Sequence, residues 1–130
     1  MGRRPRRVLV VDDDRQFRAA VSKILSHQGY EVLTAEDGLC AAKMLTEREF
    51  DLVLTDLQMP GQDGVSLLNQ IRSRCPAPEV IVLTAFGDID SYLKARRLGA
   101  ADYLSKPVRR GELLAAAQRA LKAREENACW

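Results

Sequence analysis

Residues 52–56 read LVLTD, an apolar run that ends in a carboxylate. Three other segments lead to a polar group in the same way: VLVV at 8–11 before Asp12, VIVL at 80–83 before Thr84, and YLS at 103–105 before Lys106. Short, nearly continuous aliphatic runs are typical of parallel strands that are buried on both faces. The sequence therefore predicts strands whose C-terminal ends carry acids, a hydroxyl and an amine, at the sheet edge where α/β proteins bind ligands.

Segments with helical spacing separate the strands, so that the two patterns alternate along the whole chain. The predicted strands lie near 7–12, 31–35, 51–56, 79–84 and 101–105. This alternation predicts an α/β fold with a doubly wound, five-stranded parallel sheet and right-handed crossovers. The second and fifth segments are the least apolar, so we expect them at the sheet edges. The predicted order is 2-1-3-4-5, the flavodoxin-like (βα)5 winding, with its crevice beside strands one and three.

The bulk composition is that of an ordinary globular domain. The chain has 130 residues, 46% hydrophobic and 29% charged, and its net charge of +2 does not indicate a nucleic-acid-binding protein. No apolar run approaches the ~20 residues of a membrane-spanning helix. The three cysteines form no C-x-x-C motif, so reduced thiols in the cytoplasm are expected. We divide the chain into a basic leader at 1–6, a folded domain at 7–124 and a tail at 125–130.

The acids that follow the first and third strands suit a divalent metal ion. Mg²⁺ prefers oxygen ligands and usually keeps several waters. Asp12, Asp13 and Asp56 are the candidate carboxylate ligands, and the main-chain carbonyl of Gln58 is a further candidate. Crowded carboxylates repel one another, and a cation relieves that repulsion. The alternative is that the acids only cap the first helix, but Asp14 suffices for this and capping leaves Asp56 unexplained.

Asp56 is also a candidate nucleophile, because an aspartate can form an aspartyl phosphate. Phosphoryl transfer needs in-line positioning and charge stabilisation at the equatorial oxygens. The Thr84 hydroxyl and the Lys106 ammonium could supply that stabilisation. Taken singly, these residues are also consistent with a strand-end threonine and a solvated lysine. The Lys106–Pro107 bond is a candidate cis peptide that would aim the lysine inward, although the sequence does not assign the isomer.

Four motifs, taken in this order and spacing, carry a family resemblance. They are VLVVDDD at 8–14, DLVLTDLQMPGQDG at 51–64, VIVLTA at 80–85 and GAADYLSKP at 99–107. Together they resemble the receiver domain of bacterial two-component response regulators. The segment 83–104 looks most like receivers of nitrogen-regulation-type transcription activators.

The resemblance implies a phosphoryl-accepting switch. Asp56 would take the phosphoryl group from a sensor histidine kinase or a phosphotransfer protein, with Mg²⁺, or Mn²⁺ in its place, at Asp12 and Asp13. Thr84 and Lys106 are implied to contact the phosphoryl group. The domain would be a phosphoacceptor rather than an enzyme, although self-phosphorylation from small phosphodonors and self-dephosphorylation are expected.

The resemblance also implies an output surface formed by helix four, strand five and helix five. Tyr103 resembles a switch aromatic that turns inward on activation. The candidate residues of this surface are Ile89, Tyr92, Arg96, Tyr103, Arg109 and Arg119. Expected partners are a downstream protein, a fused effector domain or a second copy in a phosphorylation-dependent homodimer, without direct contact to nucleic acid or membrane. Whether this is a stand-alone receiver or the N-terminal part of a larger regulator stays open.

Three other functions are compatible with the same winding. A small aspartyl-phosphate phosphatase of the haloacid-dehalogenase type would carry a D-x-D nucleophile motif on the first strand, whereas the isolated acid here follows the third. A nucleotide- or flavin-binding domain is disfavoured because neither G-x-G-x-x-G nor G-x-x-x-x-G-K-[ST] occurs. A receiver that acts only through constitutive protein contacts is the remaining alternative.

Overall fold

The computed structural model describes residues 5–56, 64–73, 77–85, 89–97 and 99–126. Strands and helices alternate over these ranges. The strands are β1 (Arg7–Val11), β2 (Glu31–Ala35), β3 (Leu52–Thr55), β4 (Glu79–Thr84) and β5 (Asp102–Ser105). The helices are α1 (Arg15–His27), α2 (Gly38–Glu47), α3 (Gly64–Arg72), α4 (Ile89–Arg97) and α5 (Arg110–Glu126).

The five strands form one parallel sheet in the order β2-β1-β3-β4-β5. The predicted α/β fold and strand order are therefore confirmed. Strands β1, β3 and β5 are a residue shorter at one or both ends than the predicted segments. At β1 and β3 the pairing stops before Asp12 and Asp56, which leaves both acids at the C-terminal edge of the sheet.

The sheet is covered on both faces by separate apolar cores, because successive strand residues point to opposite sides. Leu9 and Val53 contribute to the core beneath α2 and α3, with Leu45 and Ile71 among its helical members. The second core lies beneath α1 and α5, and its buried members include Val8, Val10, Val21, Leu25, Leu52, Leu54, Leu113 and Ala117. Burial on both faces explains why these strands have almost no polar positions.

The start of α1 is fixed by its N-cap. The Asp14 carboxylate accepts hydrogen bonds from the main-chain N–H groups of Gln16 and Phe17, at 3.0 and 3.2 Å. This confirms the predicted capping role of Asp14. Asp37 caps α2 in the same way, accepting from the N–H of Cys40 at 2.8 Å.

The chain turns at Gly99, shortly after the end of α4. Gly99 has a φ of +83° and donates its N–H to the carbonyl of Arg96 at 3.0 Å. This left-handed conformation favours glycine. Asp88 directly precedes this helix and is of a residue type that favours the N-cap position, but it lies outside the described residues.

A polar network closes the N-terminal edge of the sheet. The Asp51 carboxylate accepts from the main-chain N–H of Arg7 at 2.8 Å and from the Arg124 guanidinium at 3.0 Å. Arg124 also donates to the carbonyl of Ala77 at 3.2 Å. An ion pair joins Arg6 to Glu125. Glu125 falls in the predicted tail at 125–130, but in the structure it belongs to α5. The last turns of α5 are thus held against the beginnings of the strands.

Candidate functional site

Three predicted site residues are buried at the C-terminal edge of the sheet. Asp12, Asp56 and Thr84 are 1%, 7% and 3% exposed, and they lie at or just beyond the ends of β1, β3 and β4. The N–H of Asp12 donates to the carbonyl of Ala35 at 3.1 Å, which holds the acid at the end of the β1–β2 ladder. Parallel strands β1 and β3 are neighbours, so the two acids project into one crevice.

Lys106 joins the two buried acids. Its Nζ lies 2.6 Å from Oδ2 of Asp12 and 3.3 Å from Oδ2 of Asp56. The main-chain N–H of Lys106 donates to the carbonyl of Thr84 at 2.8 Å, which continues the β4–β5 pairing and brings the lysine to the crevice. The Lys106–Pro107 peptide bond is cis. The structure therefore brings together Asp12, Asp56 and Lys106, from three separate strand ends.

The charge state of Lys106 follows from these contacts. Burial alone would lower the pKa of the ammonium group. The hydrogen bond and charge of Asp12, followed by the charge and hydrogen bond of Asp56, outweigh burial and raise the pKa above its ordinary value. The lysine is consequently charged at neutral pH, and it balances part of the negative charge of the crevice.

The donor set at this edge suits a hard cation. Asp12 and Asp56 offer carboxylate oxygens that both contact the Lys106 ammonium. Asp13, the residue after Asp12, is exposed. Within the described ranges no three His, Cys, Asp or Glu side chains gather as a metal-binding group. Gln58, whose carbonyl is a predicted ligand, lies outside those ranges. Two carboxylates plus waters match the way Mg²⁺ is usually bound, so the residues fit the ion.

Two residues in the first turn of α1 reach the crevice, and sequence reasoning did not assign either to the site. Arg18 donates from Nη1 to the carbonyl of Asp12 at 2.6 Å. The Phe17 ring lies beside Lys106, whose Nζ is 4.3 Å from the ring centroid. The sequence did contain one indication of their role, which is their position just after the capping Asp14. That cap fixes the start of α1 beside the crevice, so the residues of the first turn lie close to it.

The comparison with known families covers most of the chain. The profile described as "Response regulator receiver domain" matches residues 8–118. The chain belongs to this family. The fold described above is thus that of a receiver domain.

Individual relatives of this receiver domain are similar at moderate identity. The response regulator protein FleR of Pseudomonas aeruginosa is 43% identical over 108 residues, which are 83% of this chain and 23% of FleR. The DNA-binding transcriptional regulator NtrC of Escherichia coli (strain K12) is 39% identical over 120 residues, 92% of this chain and 26% of NtrC. The chain therefore spans about a quarter of the length of these curated relatives. The nitrogen-regulation-type likeness predicted from residues 83–104 is confirmed.

Solved structures agree with the fold of this receiver. The signal receiver domain of an HD domain-containing protein from Pseudomonas fluorescens Pf-5 aligns with a TM-score of 0.89 at 32% identity. The alignment covers 97% of this chain and 93% of that one.

Tyr103, the predicted switch aromatic of the receiver, is half-buried on β5. Its ring makes an edge-to-face contact with Tyr92 of α4, with centroids 5.5 Å apart and planes at 87°. Arg96 donates to the Tyr92 hydroxyl at 3.2 Å. A cavity of about 260 Å³ lies here, and its lining residues are Tyr92, Arg96, Ala100, Ala101, Asp102 and Tyr103.

The three arginines of the predicted output surface, Arg96, Arg109 and Arg119, are exposed. Arg119 pairs with Asp102 at 2.9 Å, and Arg109 directly precedes α5. The side chain of Ile89 is outside the described part of the molecule. In the part of the chain that the structure describes, no helix is long and apolar enough to span a membrane.

Proposed function

We propose that this receiver domain is a signalling switch in which Asp56 accepts the phosphoryl group. The observation that carries the proposal is the bridge from the Lys106 ammonium to Asp12 and Asp56, at 2.6 and 3.3 Å. It supports a crevice that places a nucleophilic carboxylate beside a fixed positive charge. Such positioning and charge compensation are the main requirements of phosphoryl transfer.

The transfer takes the phosphoryl group from a phosphohistidine of a sensor histidine kinase or phosphotransfer protein. An Asp56 carboxylate oxygen attacks phosphorus, a P–O bond forms, and the P–N bond breaks with its electron pair going to the imidazole nitrogen. Lys106 pairs with one phosphoryl oxygen as charge develops there, and the Thr84 hydroxyl donates to another. Asp12, Asp13, Asp56 and the carbonyl of Gln58 would hold Mg²⁺. When bound, Mg²⁺ supplies further neutralisation of phosphoryl charge.

Output follows from the same contacts. A phosphoryl group adds charge and strong acceptor oxygens at Asp56, which attract Thr84 and Lys106. Movement of Thr84 opens space for Tyr103, which leaves its contact with Tyr92 and turns inward. This shifts a balance between two existing conformations of the surface formed by α4, β5 and α5. The partner is a downstream protein, a fused effector domain such as the DNA-binding part implied by the name of the transcriptional regulator NtrC, or a second copy of this chain.

The acceptor assignment is tested by mass spectrometry after incubation with acetyl phosphate, with and without Mg²⁺. We expect one Mg²⁺-dependent phosphate adduct in the wild type and none in Asp56→Asn, because the amide is not a nucleophile. Asp37→Asn is a matched control, since Asp37 caps α2 and asparagine caps equally well. An undiminished adduct in Asp56→Asn would disprove the assignment.

A further inference from the structure

The Lys106 ammonium is bounded on one side by an aromatic ring. Its Nζ lies 4.3 Å from the centroid of the Phe17 ring, well within the ~6 Å range of cation–π attraction. The same Nζ contacts Asp12 and Asp56. The ammonium is therefore enclosed by two carboxylates and the face of one ring.

Phe17 is held in this position by both its backbone and its side chain. The N–H of Phe17 donates to the capping carboxylate of Asp14 at 3.2 Å, which fixes the residue in the first turn of α1. The ring is half-buried and packs against the apolar core beneath α1 and α5. The adjacent Arg18 binds the carbonyl of Asp12 at 2.6 Å, so this helical turn is attached to the crevice at a second point.

We propose that Phe17 is a positioning residue for Lys106. The lysine has a flexible four-carbon chain, and its ammonium forms strong contacts in many directions. The negative face of the ring attracts the ammonium and blocks the rotamers that would carry it away from the crevice. Phe17 thereby keeps the positive charge where a phosphoryl oxygen arrives. This inference rests on the proposed function of Asp56 for its effect on phosphorylation, but the positioning itself does not.

A purely structural role for Phe17 predicts different behaviour. If the ring only fills space in the core, leucine should replace it with little effect on the crevice. If the ring's electrons matter, tyrosine should substitute and leucine should not. Pentafluorophenylalanine gives the sharpest comparison, because it keeps the ring and removes its negative face.

The positioning is tested first in the unphosphorylated, metal-free protein by NMR of the Lys106 ε-methylene group. A proton above an aromatic face is shifted upfield by the ring current. We expect this shift in the wild type and in Phe17→Tyr, and a clearly smaller shift with pentafluorophenylalanine at position 17, whose ring keeps a ring current but no longer attracts the ammonium. Undiminished ε-methylene shifts with pentafluorophenylalanine would overturn the proposal, whatever the protein does with phosphodonors.

The effect on transfer is tested with acetyl phosphate, whose P–O bond to acetate breaks as the bond to Asp56 forms. We expect Phe17→Leu and pentafluorophenylalanine at position 17 to lower the maximal rate by about two- to fivefold, with the half-saturating phosphodonor concentration unchanged. Phe17→Tyr should restore the rate. Equal rates in all four proteins would overturn the proposal. Absence of an adduct even in the wild type would instead refute the role of Asp56, and the NMR shifts would still decide that of Phe17.

Discussion

At the scale of single residues, the Lys106 ammonium lies between two carboxylates that would otherwise repel each other. Asp12 is nearly inaccessible and Asp56 is 7% exposed, so neither can rely on water to reduce that repulsion. The lysine and a divalent cation would therefore compete for the same oxygens. Any loss of the lysine charge should increase the demand for metal.

Lys106→Met should increase the stabilisation that Mg²⁺ gives to the folded protein. The substitution leaves both acids without their ammonium partner, which we expect to cost about 1–3 kcal/mol at neutral pH without metal. Added Mg²⁺ should recover part of this loss and raise the melting temperature more than in the wild type. Thermal unfolding across a Mg²⁺ titration measures both effects.

Lys122→Met is the matched control, because Lys122 is exposed on α5 away from the crevice. Its Mg²⁺ response should equal that of the wild type. A Lys106→Met protein with the same Mg²⁺ response as Lys122→Met would show that the lysine and the metal do not share oxygens.

At the scale of secondary structure, the first turn of α1 serves the crevice as well as the helix. Asp14 caps the helix, and the two residues that reach Lys106 and Asp12 follow within one turn. Helix α2 has an equivalent cap in Asp37, but the contacts with Lys106 and Asp12 described above come from the first turn of α1. Removing one cap or the other therefore distinguishes an effect on helix stability from an effect on the geometry of the site.

Asp14→Ala and Asp37→Ala should destabilise the protein by similar amounts, about 1 kcal/mol each, through loss of an N-cap. Only Asp14→Ala should also slow phosphorylation by acetyl phosphate, since fraying of the first turn of α1 loosens Phe17 and Arg18. Urea unfolding and adduct formation over time are the measurements. Equal rates in the two variants would show that the turn does not act on the site.

Prediction from sequence was most successful for the elements. Runs such as 80–83 indicated buried parallel strands, and the polar 31–35 and 101–105 segments indicated the edges, which together set the strand order. The helical spacing of Phe17 with Val21, Ile24 and Leu25 indicates only that Phe17 belongs to the apolar face of α1. That spacing reports which face of a helix is apolar, but not that the face of one ring would meet the ammonium of Lys106, which follows β5.

At the scale of the whole molecule, the two edges of the sheet have different tasks. The C-terminal edge gathers charges around a crevice, whereas the N-terminal edge pairs its charges to close the fold. The Asp51–Arg124 contact spans 73 positions of sequence, and no local pattern indicates it. The metal-binding and phosphoryl-accepting roles of the predicted site residues likewise stay predictions, because they depend on groups that arrive from outside the chain.

Arg124→Met should lower the free energy of unfolding by about 2–3 kcal/mol, because it leaves the buried Asp51 without its cation. The rate of phosphorylation should not change, since the contact lies at the opposite edge from Asp56. Arg119→Met is the control: it breaks a more exposed pair with Asp102 and should cost less than about 1 kcal/mol. Equal losses of stability in the two variants would contradict this division between the edges.

The ion pair between Arg6 and Glu125 brings the beginning of β1 and the last turn of α5 together. The two ends of the folded segment therefore lie next to each other. A short linker across this contact, with new ends opened between β2 and α2, would give a circular permutant. Its chain would start at α2 and end at β2, and its strands would pair in the same order. The order in which the strands are synthesised would change, while the crevice would be built from the same residues.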